Sequence, residues 1–552
     1  MAVTSLSKSR FLAGLQCHRQ LWWKVHEPNA PELVVDVKQQ HVFDQGHEVG
    51  EKARTFVPGG TLIDLPFDRK RDRLEATERA LLGGAPVVYE GSFQGGGVYG
   101  AVDILERKGK RFDLIEVKSS TKVKEEHIPD AAVQVYAARQ AGLDVERVEI
   151  MHLNRDCVYP DLGNLFTRED VTRTVEAHIP RLPGEISAQL AMLEGPLPEV
   201  TPGEQCSKPH PCPFWNRCWT EKPEFHISTL YYGTWKAKQL EAQGVTSLLD
   251  MPADASLTPV QARQIRSVRS GRPIVEPSLR GALERIESPT AYLDFETISP
   301  AIPVWRGCRP WDRIPVQFSC DMVHDNGASE HYEWIAEGAE DPRPEMARRV
   351  LEACAKARTV IAYNSPFERD CLRMLAIGAP DLKDELSALE AKLFDALPLV
   401  REHVYHPGFA GSFGLKSVYP ALMEKNEYES LAIADGELAS VRLSTLLFAP
   451  ETIPPEERAA LREDLRRYCA LDTQGLAEMI DRLREMAGIG IHYGQLELWS
   501  GPLGQAAVFI SPRGPSMRNQ STRRVTNMTA ASRTKRPIEP TSSASSSLVS
   551  TT

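Results

Sequence analysis

A chain of 552 residues exceeds what a single hydrophobic core organises, so two or three domains are expected. Its 42% hydrophobic and 25% charged residues are those of an ordinary soluble globular protein, and a net charge of −10 argues against broad coating of nucleic acid while leaving a local basic groove open. No apolar run approaches the ~20 residues of a membrane span. The first residues, MAVTSLSKSRFLAGLQCHRQ, lack the apolar core and small-residue cleavage site of a signal peptide. The expectation is a cytoplasmic protein whose 10 cysteines are reduced or bind metal.

In chain order, Gln45-Gly46-His47-Glu48 falls on an early helix. Residues 100–106 read as a strand carrying Asp103, residues 107–111 as a Gly/Lys turn, and residues 112–118 as the partner strand. Glu116 and Lys118 are two apart and face one side. The plain reading is a β-hairpin with a Glu/Lys cross-strand pair. A helix over 130–141 follows, with Gln134 and Tyr136.

Cys206, Cys212 and Cys218 then sit at five-residue gaps in a Pro-rich stretch with little regular structure of its own, so something must order it. Cys17 is the candidate fourth ligand. Four thiolates suit a [4Fe–4S] cluster, and four thiolates, or three with His18 or His210, suit tetrahedral zinc. The remaining cysteines, Cys157, Cys308, Cys320, Cys354, Cys371 and Cys469, read as ordinary buried residues.

Short helices are predicted over 231–243, 247–251 and 258–268, a packing spacer whose Arg263, Arg266, Arg269 and Arg272 have helical spacing and could meet phosphate or face solvent. From 286 to 490, strands are predicted at 290–295, 316–324, 331–335 and 360–363, and helices at 345–357, 367–376 and 457–486. Asp294 and Glu296 alternate on a strand and share its face. Tyr468 and Asp472 are four apart and share a helix face. Together with Glu368, in Asn364-Ser-Pro-Phe367-Glu368, these acids would repel on meeting unless a divalent cation sat among them. That is the requirement of a two-metal phosphodiester hydrolase. Asp395 stands at a strand end, and Lys416 at a helix start. From about 495 Ser, Thr, Arg and Pro dominate. That tail reads as disordered, and its basic first half (Arg513, Arg518, Arg523, Arg524, Arg533, Lys535, Arg536) could add a weak pull on nucleic acid.

These strings resemble known families. Asp294-Phe-Glu296, Asn364-x-x-Phe367-Glu368 and Tyr468-x-x-x-Asp472 resemble the three motifs of the tyrosine-type DEDD exonucleases of the RNase H-like fold, with Glu368 in place of the usual aspartate. The resemblance implies that Asp294, Glu296, Glu368 and Asp472 hold metal and that Tyr468 orients or deprotonates the attacking water. Asp103, Glu116 and Lys118 resemble the PD-(D/E)XK nucleases, and Gln134-x-Tyr136 and His47, with Glu51 as a rival, resemble further elements of their RecB-like branch. There Asp103, Glu116 and the Val117 carbonyl would bind Mg²⁺ or Mn²⁺, and Lys118 would position water or stabilise charge on phosphate. One early and three late cysteines resemble the iron–sulfur staple of RecB-like nucleases.

The whole chain resembles a bacterial family joining an iron–sulfur RecB-like PD-(D/E)XK nuclease domain to a DEDD-type RNase H-like domain of unknown function. This implies an α/β architecture with a restriction-endonuclease-like domain over 1–222, a helical linker over 223–285, an RNase H-like mixed sheet over 286–490 and a tail over 491–552. The implied activity is a Mg²⁺- or Mn²⁺-dependent exonuclease with two hydrolytic centres acting on nucleic acid, on DNA more than RNA and on single-stranded ends above all. The alternatives are a non-catalytic nucleic-acid-binding scaffold and a zinc-stapled RNA-processing nuclease.

Overall fold

Two mixed sheets carry the two sets of acidic residues. The computed structural model describes residues 4–219, 222–433 and 435–489. The first sheet is built from β1 (Leu6–Ser7), β2 (Gly60–Leu62), β3 (Val87–Gly95), β4 (Val98–Lys108), β5 (Arg111–Lys118), β6 (Val145–Leu153) and β7 (Phe166–Asp170). Its order is β2-β3-β4-β5-β6-β7, with β1 lying along β4. β3 and β4 are joined by Gly96-Gly97, both in the left-handed region (φ 57° and 83°), which lets a two-residue turn follow the strand twist. The expected hairpin is β4–β5, antiparallel, with Ile104 opposite Ile115 and Leu105 opposite Leu114. β6 returns parallel to β5 after the helix His127–Gln140. That helix is Ala/Val-rich and buried on nearly every side. Its Ala131, Val135 and Ala138 pack with Val102, Leu105, Leu114 and Ile150 of the sheet.

The second sheet contains β9 (Thr290–Ile298), β10 (Ile314–Val323), β11 (Ser329–Ile335), β12 (Thr359–Ala362) and β13 (Leu393–Asp395) in the order β11-β10-β9-β12-β13. β9, β10 and β11 are antiparallel, and β12 and β13 run parallel to β9. A separate ribbon pairs β8 (Ile274–Val275) with β14 (Val404–Tyr405). β10 is buried at every position because both of its faces are covered. Phe318, Cys320 and Met322 pack with Met346 and Val350 of the helix Arg343–Ala353. Gln317, Ser319 and Asp321 face the long helix Pro455–Met486 and bond to Leu465 and Thr473.

The segment expected to be a spacer is part of a core. Ile227, Leu240, Ile265 and Val268 pack with Tyr405, Phe409, Leu476 and Ile480. Its first helix starts at Thr234 rather than Tyr231, because Tyr232 adopts a left-handed φ of 45° that breaks the helical run. Of the four arginines expected to meet phosphate or solvent, Arg263 is buried, Arg266, Arg269 and Arg272 are exposed as a solvent-facing row would be, and the first three have internal partners. Arg263 and Arg266 bond to Glu276, Arg263 also bonds to the Arg401 carbonyl, and Arg269 bonds to the carbonyls of Leu249 and Met251.

The first sheet's surroundings also clasp the second's. Gln45 accepts from the Ala301 amide at 2.6 Å, and the Trp311 indole donates to the Ser119 carbonyl at 2.6 Å. Val49, Leu153, Leu165, Ala301 and Ile302 form a small apolar cluster between them. Among the described residues no helix is long and apolar enough to cross a membrane. The tail expected from residue 491 lies outside the described residues.

Candidate metal centres

The three motifs of the second sheet meet at the middle of β9. Asp294 and Glu296 emerge on the face covered by the helix Pro455–Met486, which carries Tyr468 and Asp472. The register with β10 shifts between Pro315 and Gln317, directly opposite Glu296, a local bulge that re-aims the strand beside the acids. Opposite Asp294, Ser319 bonds at 2.8 Å to Thr473, whose hydroxyl also donates to Asp321 at 2.8 Å. This pins the helix so that Asp472, the neighbour of Thr473, faces β9. One carboxylate oxygen from each of Asp294, Glu296 and Asp472 lies within 4.8 Å of the others.

Several groups outside the motifs complete this centre. Lys416 donates to the Tyr468 hydroxyl at 2.7 Å and stands 4.4 Å over its ring. Tyr428 donates to Asp472 at 2.7 Å, and the Cys469 thiol donates to Asp294 at 3.4 Å. Cys469 is thus more than the ordinary buried cysteine its sequence context indicates.

Glu368 is buried, at 2% exposure, and stands beside the triad rather than in it. Its Oε2 has no hydrogen-bond partner. Asn364 has a left-handed φ of 67°, and its amide donates to Asp395 at 3.0 Å. Asp395 also accepts from the Leu397 amide at 3.0 Å, so it fixes the turn and caps a helix start, which is a structural role.

The cost of this gathering is written in the protonation of the acids. Burial, and then Asp472, push Asp294 well above the carboxylate range. Burial, Asp294 and Asp472 do the same to Glu296. Burial raises Asp472 to about 6, and burial with Asp294 raises Glu368 to about 9. Without a cation, some of these groups keep their protons near neutral pH. A divalent cation would let them ionise.

The second gathering lies at the end of β5. Glu116 and Lys118 share a face as the alternation predicts, with Lys118 donating to Glu116 at 2.8 Å and to Asp130. Gln134 donates to Glu116 at 2.7 Å from the crossover helix. Asp103, on β4, accepts the Val117 amide at 2.7 Å. A cavity of about 240 Å³ opens onto Asp103, Glu116 and Val117, and its far wall includes Gly46, His47, Gly50 and Glu51 of the helix Val37–Phe56. Both candidates for the upstream position, His47 and Glu51, therefore reach it. Tyr136 instead lines a different depression, beside Gly96 and Ile186.

Sequence reasoning missed three groups here. Lys8 contacts Glu116 and Asp130, each at 3.0 Å. Asp130 is held well below the carboxylate range; burial opposes this, and Lys8 and Lys118 outweigh it. Glu90, flanked by the pairs Tyr89–Ile104 and Gly91–Val102, stands across from Asp103 with a left-handed φ of 57° and borders the same cavity. A strained non-glycine backbone of this kind persists only where surrounding structure enforces it.

The cysteines gather at the end of the first helix, Lys8–Gln16, with Cys17 as its C-cap. The Gln16 side chain donates to the carbonyls of Gln205 and His210, each at 2.7 Å, which ties the helix end to the cysteine loop. The Gly203 amide points at Cys206 Sγ (3.5 Å) and the Arg19 guanidinium at Cys218 Sγ (3.7 Å). Burial pushes the Cys212 thiol up, and Cys17, Cys206 and Cys218 are near enough to add to it. All four thiols are free of disulfides. Four thiols, two of them with donors aimed at sulfur and two, Cys212 and Cys218, packed beside Trp23 and Phe214, are a donor set that fits a thiolate-bound metal group.

A family described as a domain of unknown function (DUF2779) matches residues 291–414. The matched stretch takes in Asp294, Glu296 and Glu368 and ends before Lys416, Tyr468 and Asp472. No curated protein matches the chain.

Proposed function

We propose that this protein is a divalent-metal-dependent nuclease with two hydrolytic centres, acting on nucleic-acid ends. The observation that carries the reading is the meeting of Asp294, Glu296 and Asp472 within 4.8 Å, from one strand and a helix far apart in sequence. The sheet order β11-β10-β9-β12-β13, with the acids on its central strand, supports an RNase H-like assignment. The antiparallel β3-β4-β5 followed by parallel β6, with Asp103 and Glu116 at one cavity and Lys118 bonded to Glu116, supports a PD-(D/E)XK assignment.

At the first-described centre, Asp294, Glu296 and Asp472 would hold Mg²⁺ or Mn²⁺, with the partnerless Oε2 of Glu368 beside them. A bound cation there supplies an activated water and neutralises charge on the departing oxygen. Lys416 fixes the Tyr468 hydroxyl toward this region, which orients the phenol for a hydrogen bond to water or phosphate. Tyr428 leaves Asp472 one oxygen free for other partners by occupying Oδ1. At the other centre Asp103 and Glu116 would hold the cation, and Lys118 supplies positive charge where phosphate oxygens gain negative charge.

The cysteine group is proposed to hold a [4Fe–4S] cluster. Four thiolates suit that cluster or a zinc tetrahedron, and iron content with visible charge-transfer absorbance after anaerobic purification distinguishes the two.

The test is release of nucleotides from a labelled single strand with Mg²⁺ or Mn²⁺, comparing wild type with Asp294→Ala and Lys118→Ala. Loss in one variant identifies the working centre. Absence of release with any metal, for DNA and RNA alike, rejects the nuclease reading in favour of a binding scaffold.

A further inference from the structure

We infer that Lys8 is a positioning residue of the Glu116 centre, and that the cysteine-held first helix serves to deliver it. The inference rests on the proposed metal role of that centre. Lys8 is the first residue of the helix Lys8–Gln16, capped by Ser7, whose hydroxyl accepts from the Arg10 amide at 3.3 Å. A cation at a helix N-terminus is opposed by the helix dipole. Something must outweigh that opposition, and the candidates are at hand: Nζ lies 3.0 Å from Glu116 and 3.0 Å from Asp130. Lys118 reaches the same two carboxylates, so the two ammonium groups share them. Lys8 thereby neutralises Asp130 and one oxygen of Glu116 together with Lys118. Asp103 is left facing the cavity.

The helix that carries Lys8 is anchored at both ends. At its start, β1 runs alongside β4, with Leu6 opposite Val98 and Ser7 opposite Tyr99. At its far end, roughly 13 Å away at 1.5 Å per residue, stand Cys17 and the two Gln16 hydrogen bonds to the cysteine loop. The cysteine group is therefore one rigid helix away from the carboxylates. Losing its order releases the C-terminal anchor of the element that places Lys8.

The experiment is a calorimetric Mn²⁺ titration of the full chain carrying Asp294→Asn and Asp472→Asn, which removes the other centre from the signal. Into this background go Lys8→Met, Lys8→Arg and Cys212→Ser. Without the Lys8 charge the carboxylates are less neutralised, so Lys8→Met should bind Mn²⁺ roughly tenfold more tightly. Lys8→Arg should stay near the parent, since it restores the charge. Cys212→Ser should move in the direction of Lys8→Met. Equal Mn²⁺ affinity in the parent and Lys8→Met overturns the role of Lys8. A shift in Lys8→Met with none in Cys212→Ser overturns delivery by the cysteine-held helix. No Mn²⁺ binding in any arm overturns the metal reading of the centre, and the inference with it.

Discussion

At the Glu116 centre two ammonium groups, Lys8 and Lys118, stand among the carboxylates, whereas at the Asp294 centre three carboxylates meet and the nearby Lys416 ammonium is directed onto the Tyr468 hydroxyl. Both centres bury acids, and burying an uncompensated charge is expensive. The first offsets this with its own lysines, so Asp130 stays ionised. The second keeps protons on its acids instead, with Glu368 raised to about 9. The contrast teaches that acids at a candidate metal site differ in what they need. The lysines settle Asp130 and leave Asp103, which burial and Glu116 push well above the carboxylate range, to be completed by a proton or a cation, as the acids of the other set are.

The largest expected effect comes from removing an acid of the uncompensated set. Asp294→Asn in a Lys118→Ala background should lower metal-dependent nucleotide release by at least ~100-fold, since even outer partners of a metal site are worth 10–100-fold. The same release assay measures it, and retained activity would place the chemistry elsewhere.

Next comes pH. Glu368 titrates at about 9 when folded against 4.5 ordinarily, and Asp472 at about 6 against 3.8. The folded protein therefore holds protons that the unfolded chain has released, so stability is highest in acid and falls as pH rises through each folded value. In chelator, melting temperature should drop steadily from about pH 5 to about pH 9, and Mg²⁺ should recover part of the loss. Glu368→Gln should flatten the upper half of that curve. A curve that rises with pH would contradict the protonated state of these acids.

Tyr468→Phe removes the hydroxyl that Lys416 holds. It should lower the turnover rate by roughly 10²-fold, the scale of one positioned proton-transfer or hydrogen-bonding group, with little change in melting temperature. An unchanged rate would assign the phenol a packing role. The smallest effect is expected from Thr473→Val. It breaks the link from the long helix to Ser319 and Asp321 and should cost about 1–3 kcal/mol by leaving buried acceptors unpaired, read as a lower melting temperature.

Much of the architecture was legible because it is local. Alternation marks β5 and β9, and four-residue spacing marks the helix that carries Tyr468 and Asp472. Elements such as β4–β5 follow from a polar turn between two apolar runs. The groups that finish each centre were not legible, because tertiary packing brings them from a distance. Lys8 is 108 residues from Glu116, and Tyr428 is 44 from Asp472. One sign of Lys8 was present: a lysine directly after a capping serine, where the helix dipole disfavours it. The arginines at 263, 266 and 269 show the converse. Their helical spacing resembles a phosphate-facing row, yet each bonds to carbonyls or to Glu276, and Arg263 is buried.

The loop that follows β9 lays Ala301, Ile302 and Trp311 against Val49, Leu153 and Leu165, and Trp311 bonds to the residue after Lys118. A fragment cut after the cysteine loop would present those aliphatic side chains to water with nothing to cover them, and the complementary fragment would do the same with its indole and isoleucine. Each half would be prone to self-association in isolation. The two sheets therefore belong in one expressed chain, and a dissection by truncation would read solubility before it read chemistry.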